Sequence, residues 1–401
     1  MNRNDRVVVT GAGVVTSLGS GMEAFSNGLF EGRSCVAPSA RLQGSAACEV
    51  PDFTPVPWLG PKGIRVLDRA ARLLAVASHM ALDHAGLLRE PSEEGDAGLG
   101  LVCGTMFGGV HSIATFDYAG IMDGPNGVNP ADFPNTVINS PTGHAGIRFK
   151  MRGVNTTISA GLASGLQAIG YAADILRFGR SKAVLAGGLE ELCEESMSGF
   201  HSTGLLAADR TVRPFGIERS GTVPGEGAAL WVLELEESAR ARHAVPLLEV
   251  LGFGAAHDGA AAAAIHSKGR GAADAMREAI TSAGISPAEV SCIFASANGA
   301  RLGDEIEARA LDEVFSGNPP PVCAPKAFWG EAMGASGALA ALAAGVALER
   351  GLLPPTPSHR ATDYALQLSA SAQPLASGPA LVNALGCDGI NVSLVIGLCR
   401  N

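Results

Sequence analysis

The sequence predicts a layered α/β protein with a mostly parallel sheet. Three observations carry that expectation. Apolar runs of strand length recur, several of them ending in glycines, and helix-like stretches rich in small residues follow. The chain is 47% hydrophobic and 17% charged, with 52 glycines, so it can bury a large and tightly packed core. One helix start occurs twice, as LASGLQA (Leu162 to Ala168) and GASGALA (Gly334 to Ala340). Small residues at both starts permit close backbone approach, as two helices buried at the centre of a duplicated fold require. The competing explanation is chance similarity in an Ala/Gly-rich chain. With 401 residues there is room for two domains or one large duplicated one.

The elements follow in order. DRVVVTGAGVV is a buried strand running into a glycine turn, and LGLVCGTMFGG (Leu99 to Gly109) is a second strand ending in glycines. TTIS (Thr156 to Ser159) is β-prone and leads into the small-residue helix of LASGLQA; KAVLAGGLEEL (Lys182 to Leu192) is the next strand. After the charged segment LELEESARARH, the strand PLLEVLGFGAA (Pro246 to Ala256) opens a second set. It continues with a helix (Gly271 to Gly284), a strand (Ser291 to Ala300) and a helix (Gly303 to Phe315).

Composition excludes several functions. A net charge of −10 disfavours nucleic acid and anionic membrane as partners. The longest apolar-rich run (Gly334 to Gly351) is an Ala/Gly helix ending in Glu349-Arg350, which does not read as a membrane span. The N-terminal residues lack the apolar core of a signal peptide. Eight scattered cysteines, none in a CxxC pair, fit a reduced, cytoplasmic chain with thiols as small core residues.

Four places invite a chemical assignment. VTGAGVVTSLGSG (Val9 to Gly21) approximates a dinucleotide-binding turn at Gly11 and Gly13, but Thr16 holds the third glycine position. Glu31, about 20 residues on, follows no strand, so a plain strand-to-helix turn is preferred. The histidines at 79, 84, 111, 144, 201, 243, 257, 266 and 359 have no metal spacing, and none stands out as a general base. Cys387 sits in a glycine-rich turn, NALGCDGIN, but Asp388 beside it opposes a thiolate, which favours a filler role. The fourth is TTISAGLASG (Thr156 to Gly165). A strand meeting a helix through small residues is a common seat for a Cys or Ser nucleophile, and here the turn residue is Leu162.

Seven segments in one order carry a resemblance over nearly the whole chain. They are VVVTGAGVVTSLG, CGTMFGG, FPNTVINSPTGHAGIRFKMRGVN, TTISAGLASGLQAIGYAADILRFGRSKAVLAGGLEEL, RPFGIERSGTVPGEGAALWVLE, KAFWGEAMGASGALAA and NALGCDGINVSLVI. The chain resembles a β-ketoacyl synthase of the thiolase fold. The resemblance implies a duplicated five-layer α-β-α-β-α architecture, with one half over residues 1–247 and the other over 248–401. It also implies dimers, with a strand near the nucleophile pairing across the two-fold. Active members use a Cys nucleophile and two histidines, and no cofactor or metal is implied.

Carried over position by position, that set is absent. The A-C-x-S-G nucleophile motif falls on Gly161 to Gly165, which puts Leu162 at the cysteine. The first histidine falls on Asn298 in ANGAR, before a loop shorter than in active members, and the second falls on Glu331 in KAFWGEAMGA. Lys326 keeps the family lysine, and Glu307 keeps an acidic helix position. The C-terminal loop persists as Gly386, Cys387, Asp388 and Gly389, with Cys387 where a bulky gating Phe is usual. Leucine can neither form a thioester nor offer the amide hydrogen bonds of the glutamine found in decarboxylating relatives.

A kept scaffold with a lost catalytic set resembles the chain length factor of type II polyketide synthases, including the branch serving aryl polyene and other polyene systems. That implies a catalytic ketosynthase subunit and an acyl carrier protein with its growing chain as partners. The segment from Met106 to Gly124 would then cross the interface and line the tunnel. On a helix, Val110, Ile113, Ala114 and Asp117 share a face, and Phe107, Phe116 and Phe133 are the bulky candidates nearby; for any one of them ordinary packing is the simpler role. The competing reading is a carrier-protein-dependent decarboxylase or acyltransferase that uses Cys387 or Glu331, and a plain acyl-binding scaffold is the third.

Overall fold

A computed structural model describes residues 6–88, 94–259 and 269–399. Ten strands lie in line across its main sheet, and a short eleventh, Gly19–Ser20, pairs with the end of the first: β1 (Val7–Thr16), β2 (Leu99–Gly104), β3 (Asn155–Ile158), β4 (Ala183–Glu190), β5 (Gly227–Leu235), β6 (Leu248–His257), β7 (Cys292–Phe294), β8 (Val322–Cys323), β9 (Ala380–Leu385) and β10 (Ile390–Leu398). The longer helices are α1 (Met22–Glu31), α2 (Arg69–His84), α3 (Val110–Asp123), α4 (Ser140–Arg148), α5 (Ser164–Arg177), α6 (Glu194–Ser202), α7 (Arg270–Ser282), α8 (Arg301–Val314) and α9 (Ser336–Arg350).

The duplication is explicit in the strand order. The first five strands run β1-β5-β4-β2-β3, and the second five run β6-β10-β9-β7-β8, the same order shifted by five. The two sets meet where Val7, Val8 and Val9 of β1 pair antiparallel with Val250, Glu249 and Leu248 of β6. The repeated helix start has the same local bonding in both copies. Ser164 Oγ accepts the N–H of Ala160 at 2.9 Å, and Ser336 Oγ accepts that of Ala332 at 2.9 Å.

The sheet is not mostly parallel, which corrects the expectation from alternation. Within each set β2 or β7 makes two parallel pairings, while β5 or β10 lies antiparallel to both of its neighbours. In the first half α6 lies between β4 and β5, yet the two strands pair antiparallel. In the second half only Gly386 to Gly389 separates β9 from β10, and so short a link can join only antiparallel strands.

Alternation along the strands assigns the layers. Ala229, Trp231 and Leu233 of β5 face the central core, and Ala228, Leu230 and Val232 face the outer core under α2. In β9, Val382 faces the centre and Leu381 faces the outer core of α7 and α8. The middle layer is α5 with α9. Every residue of α9 from Ser336 to Leu348 is buried, as a helix apolar on all sides must be. Glycines set the approach of these two helices. A Cβ on Gly165 would lie 2.6 Å from the carbonyl oxygen of Gly334, and one on Gly337 would lie 2.9 Å from Leu166 Cβ. The result is the five-layer thiolase-like arrangement.

The glycine motif near the N-terminus is a packing device. The strand continues through Gly11 and Gly13 to Thr16 rather than turning there. A Cβ on Gly13 would lie 2.1 Å from the carbonyl oxygen of Ala77, so these glycines let α2 lie directly on β1. Among the described residues, no helix is long and apolar enough to cross a membrane.

Candidate functional site

The loops that follow the parallel strands converge on one cavity of about 720 Å³. This is where open α/β sheets place their ligands. The link after β2 contributes Met106 and Phe107, the turn before α5 contributes Leu162, and the link after β7 contributes Ser296 to Asn298. Glu307 of α8, Glu331, Met333, and Leu385 to Cys387 complete much of the wall, with Phe200 and Leu205 opposite.

Leu162 sits half-buried in a tight turn. Gly161 has a φ of +54°, and a Cβ there would meet Asp388 Oδ2 at 2.5 Å, so the turn and the Gly386–Gly389 loop fit only through that glycine. Leu162 presents hydrocarbon where a nucleophile would stand. Cys387 is close by, but burial pushes its thiol up, and the negative charges of Asp388 and Glu331 push it further.

The structure brings Asn298, Lys326 and Glu331 together. Glu331 has no exposed surface and Lys326 is 4% exposed, yet their Oε2 and Nζ atoms are 2.7 Å apart. Asn298 Nδ2 donates to the same carboxylate oxygen at 2.8 Å. Ser336 Oγ donates to Glu331 Oε1 at 2.8 Å, and the N–H of Met333 donates at 3.1 Å. Met333 adopts a φ of +47°, a conformation that side chains rarely take, so the turn carrying this N–H is strained. Asn298 Oδ1 accepts the Ala300 N–H at 3.0 Å. The buried charge is therefore paired and fully hydrogen-bonded, which is the condition for tolerating it. Glu331 has no free lone pair directed at the cavity to act as a base.

Two further buried acids shape the site and were not singled out from sequence. Glu190, at the end of β4, accepts from Thr105 Oγ1 at 3.0 Å and from the N–H groups of Met106, Phe107 and Gly334 at 2.6, 3.1 and 3.1 Å. It ties the β2 link to the start of the α9 turn; burial pushes its carboxyl up to about 7. Asp304 accepts from the N–H groups of Phe215, Asn298 and Gly299 at 2.7, 3.0 and 3.1 Å, and burial pushes it up to about 7 as well. The available signal was a carboxylate at the end of an apolar strand in GGLEEL and beside glycine in LGDE.

The remaining positions named from sequence lie elsewhere. Phe107 lines the cavity, whereas Val110, Ile113, Ala114, Phe116, Asp117 and Phe133 do not. The first five are on α3, which buries none of its residues, and the rings of Phe116 and Phe133 contact each other at 5.9 Å. None of the described histidines lines this cavity, and His266 lies outside the described residues. Among the described residues no cluster of His, Cys, Asp or Glu could hold a metal ion.

Known proteins agree with this geometry. Residues 4–239 match the β-ketoacyl synthase N-terminal domain, and residues 247–360 match its C-terminal domain. The 3-oxoacyl-[acyl-carrier-protein] synthase 2 of Rhizobium meliloti is 30% identical over 98% of each chain. Nodulation protein E of Rhizobium leguminosarum bv. trifolii is 30% identical over 89% of this chain and 90% of its own. Among solved structures, the ishigamide ketosynthase/chain length factor superimposes with a TM-score of 0.91 at 33% identity, over 99% of this chain and all of that one. The ketosynthase of the AntDE:AntF complex, a type II polyketide synthase with its acyl-carrier protein, gives 0.88 at 25% identity over 98% and 100%. Strand order, paired central helices and matched domains together make this chain a member of the β-ketoacyl synthase family.

Proposed function

We propose that this chain is a non-condensing chain length factor, which pairs with a catalytic ketosynthase and shapes that partner's acyl tunnel. The observation that carries the reading is the composition of the cavity. Leu162 supplies no nucleophile, and Asn298, Lys326 and Glu331 satisfy one another instead of facing a substrate. Acyl transfer of the family's kind needs a thiolate and groups free to stabilise an enolate and an oxyanion.

The surface supports a partner. β3 is an edge strand, paired on one side only with β2. Elsewhere on the surface, Tyr118, Ile121 and Met122 of α3 are 65%, 80% and 63% exposed, as are Phe133 at 62% and Ile147 at 73%. An apolar face of this kind marks a surface that is covered in the assembled protein. In this reading Val110, Ile113, Ala114, Phe116, Asp117 and Phe133 border the partner's tunnel and limit the growing chain. An acyl carrier protein delivers that chain, as the AntDE:AntF relative suggests, and the polyene branch is the product class we favour from the sequence. Eight unpaired cysteines suit a cytosolic complex.

The test is co-expression with a ketosynthase that keeps the Cys-His-His set, sought first in the neighbouring genes. The complex should condense malonyl units and the chain alone should not. Decarboxylation of malonyl carrier protein, or an acyl adduct on Cys387, by the purified chain alone would overturn the assignment.

A further inference from the structure

A second cavity, of about 520 Å³, lies across α6 from the one described above. Met197, Ser198, His201 and Ser202 line it, whereas Ser196, Gly199, Phe200 and Thr203 line the first. Residues three or four apart share a helix face, so the two sets lie on opposite sides of α6. The segments that follow repeat the division. Leu205 and Gly221 line the first cavity, and Leu206 and Thr222, which are bridged to each other, line the second. The second cavity falls within the size range of small-molecule sites.

Its lining is cationic and hydroxylic. The chain carries 39 acidic residues against 29 lysines and arginines, yet among the described residues no acid lines this cavity. Arg210 and His201 do line it, both exposed, and neither makes an ion pair among the described residues. The carboxylate of neighbouring Asp209 is taken instead by Arg213 and by the Thr211 N–H at 3.2 Å.

Thr222 is a separate observation. It lines the cavity with no exposed surface. Its backbone is fully used: the N–H donates to the Leu205 carbonyl at 2.7 Å, and the carbonyl accepts the Ala207 N–H at 2.7 Å. Its Oγ1 has no partner among the described residues. A buried hydroxyl without a partner calls for one from whatever fills the adjoining space. Arg210, His201 and this hydroxyl are three different donors, and a phosphate monoester has three terminal oxygens to accept from them.

We propose that this cavity binds a small phosphate monoester, with the phosphate at Arg210, His201 and Thr222 and a hydroxylated body against Ser45 and Ser198. The site shares no lining residue with the first cavity and does not depend on the chain-length role. A phosphodiester, the linkage of a carrier-protein arm, offers one terminal oxygen fewer, so the test separates the two sources.

Titration calorimetry on the full chain uses glycerol 1-phosphate, glycerol and dimethyl phosphate as probes. One glycerol 1-phosphate should bind per chain, and glycerol should not bind. Arg210→Gly suits the left-handed backbone at that position, φ +58°, and should weaken binding about tenfold or more. Thr222→Val should weaken it about fivefold. The same change should leave the thermal unfolding temperature of the free chain unchanged or raised, because it removes an unpaired buried hydroxyl. Leu302→Trp, at the first cavity, should leave binding as it is. No saturable binding of glycerol 1-phosphate, equally tight binding of dimethyl phosphate, full affinity in Thr222→Val, or loss of binding in Leu302→Trp would each overturn the proposal and leave the non-condensing role standing.

Discussion

Lys326 and Glu331 show what one residue can cost or hold. Removing one partner strands a buried charge, so Lys326→Met should lower stability by about 3–5 kcal/mol in urea unfolding. The double change Lys326→Met with Glu331→Leu should cost less, because no charge is left unpaired. Leu162→Cys should not restore condensation, measured with acyl and malonyl carrier proteins, since a thiol alone meets no histidine at 298 or 331. Glu191 sets a pH dependence. Burial and the charge of Asp68 push its carboxyl up to about 8, from 4.5 in the unfolded chain. The folded state then keeps a proton that the unfolded state releases between those values, so stability falls as pH rises through that window. Thermal unfolding at pH 6 and pH 8.5 should show the loss, and Glu191→Gln should reduce it, leaving the share that Glu190 and Asp304 contribute in the same direction. At this scale the sequence was partly legible. Leu162, Asn298 and Glu331 could be read off motifs, because type and spacing suffice. That Glu331 is fully paired could not, because the pairing depends on local turn geometry at Met333 and Ser336 and on Asn298, which comes from a separate stretch of chain.

The meeting of α5 and α9 is the element-scale feature on which the site depends, because Leu162 sits at the foot of one helix and Glu331 and Met333 at the foot of the other. Gly165→Ala should destabilise by about 1–3 kcal/mol, since the added methyl meets the backbone of Gly334. Gly199→Ala, in α6 with nothing within 4 Å of the new methyl, should be neutral or stabilise by roughly 0.5–1 kcal/mol. Chemical denaturation of the pair separates packing from backbone entropy. The sequence showed this element well, since the repeated small-residue start is local. Strand direction was hidden, because β5 and β10 carry the same apolar alternation whichever way they run.

For the whole molecule, the exposed apolar residues of α3, the edge of β3, and Phe133 and Ile147 are left uncovered. Under the proposed pairing, Ile121→Asp with Met122→Asp should abolish co-purification with a catalytic ketosynthase and raise the solubility of the chain alone, read by size-exclusion chromatography. The apolar α3 residues were visible in the sequence, but their exposure was not, because composition does not tell a core helix from an uncovered one.

The seam between the two halves has a consequence for how the chain is made. Arg6 reaches from the start of β1 to the carboxylate of Glu249 through two hydrogen bonds, at 2.9 and 2.6 Å, across a separation of 243 residues. During synthesis β1 leaves the ribosome about 240 residues ahead of the strand that covers one of its edges. Until then Val7, Val8 and Val9 form an open apolar border, which chaperones would have to shield. A gene split in the loop before Leu248 would yield two fragments, each with a raw sheet margin, held together by that short ladder, the Arg6 clasp and the packing of α5 on α9.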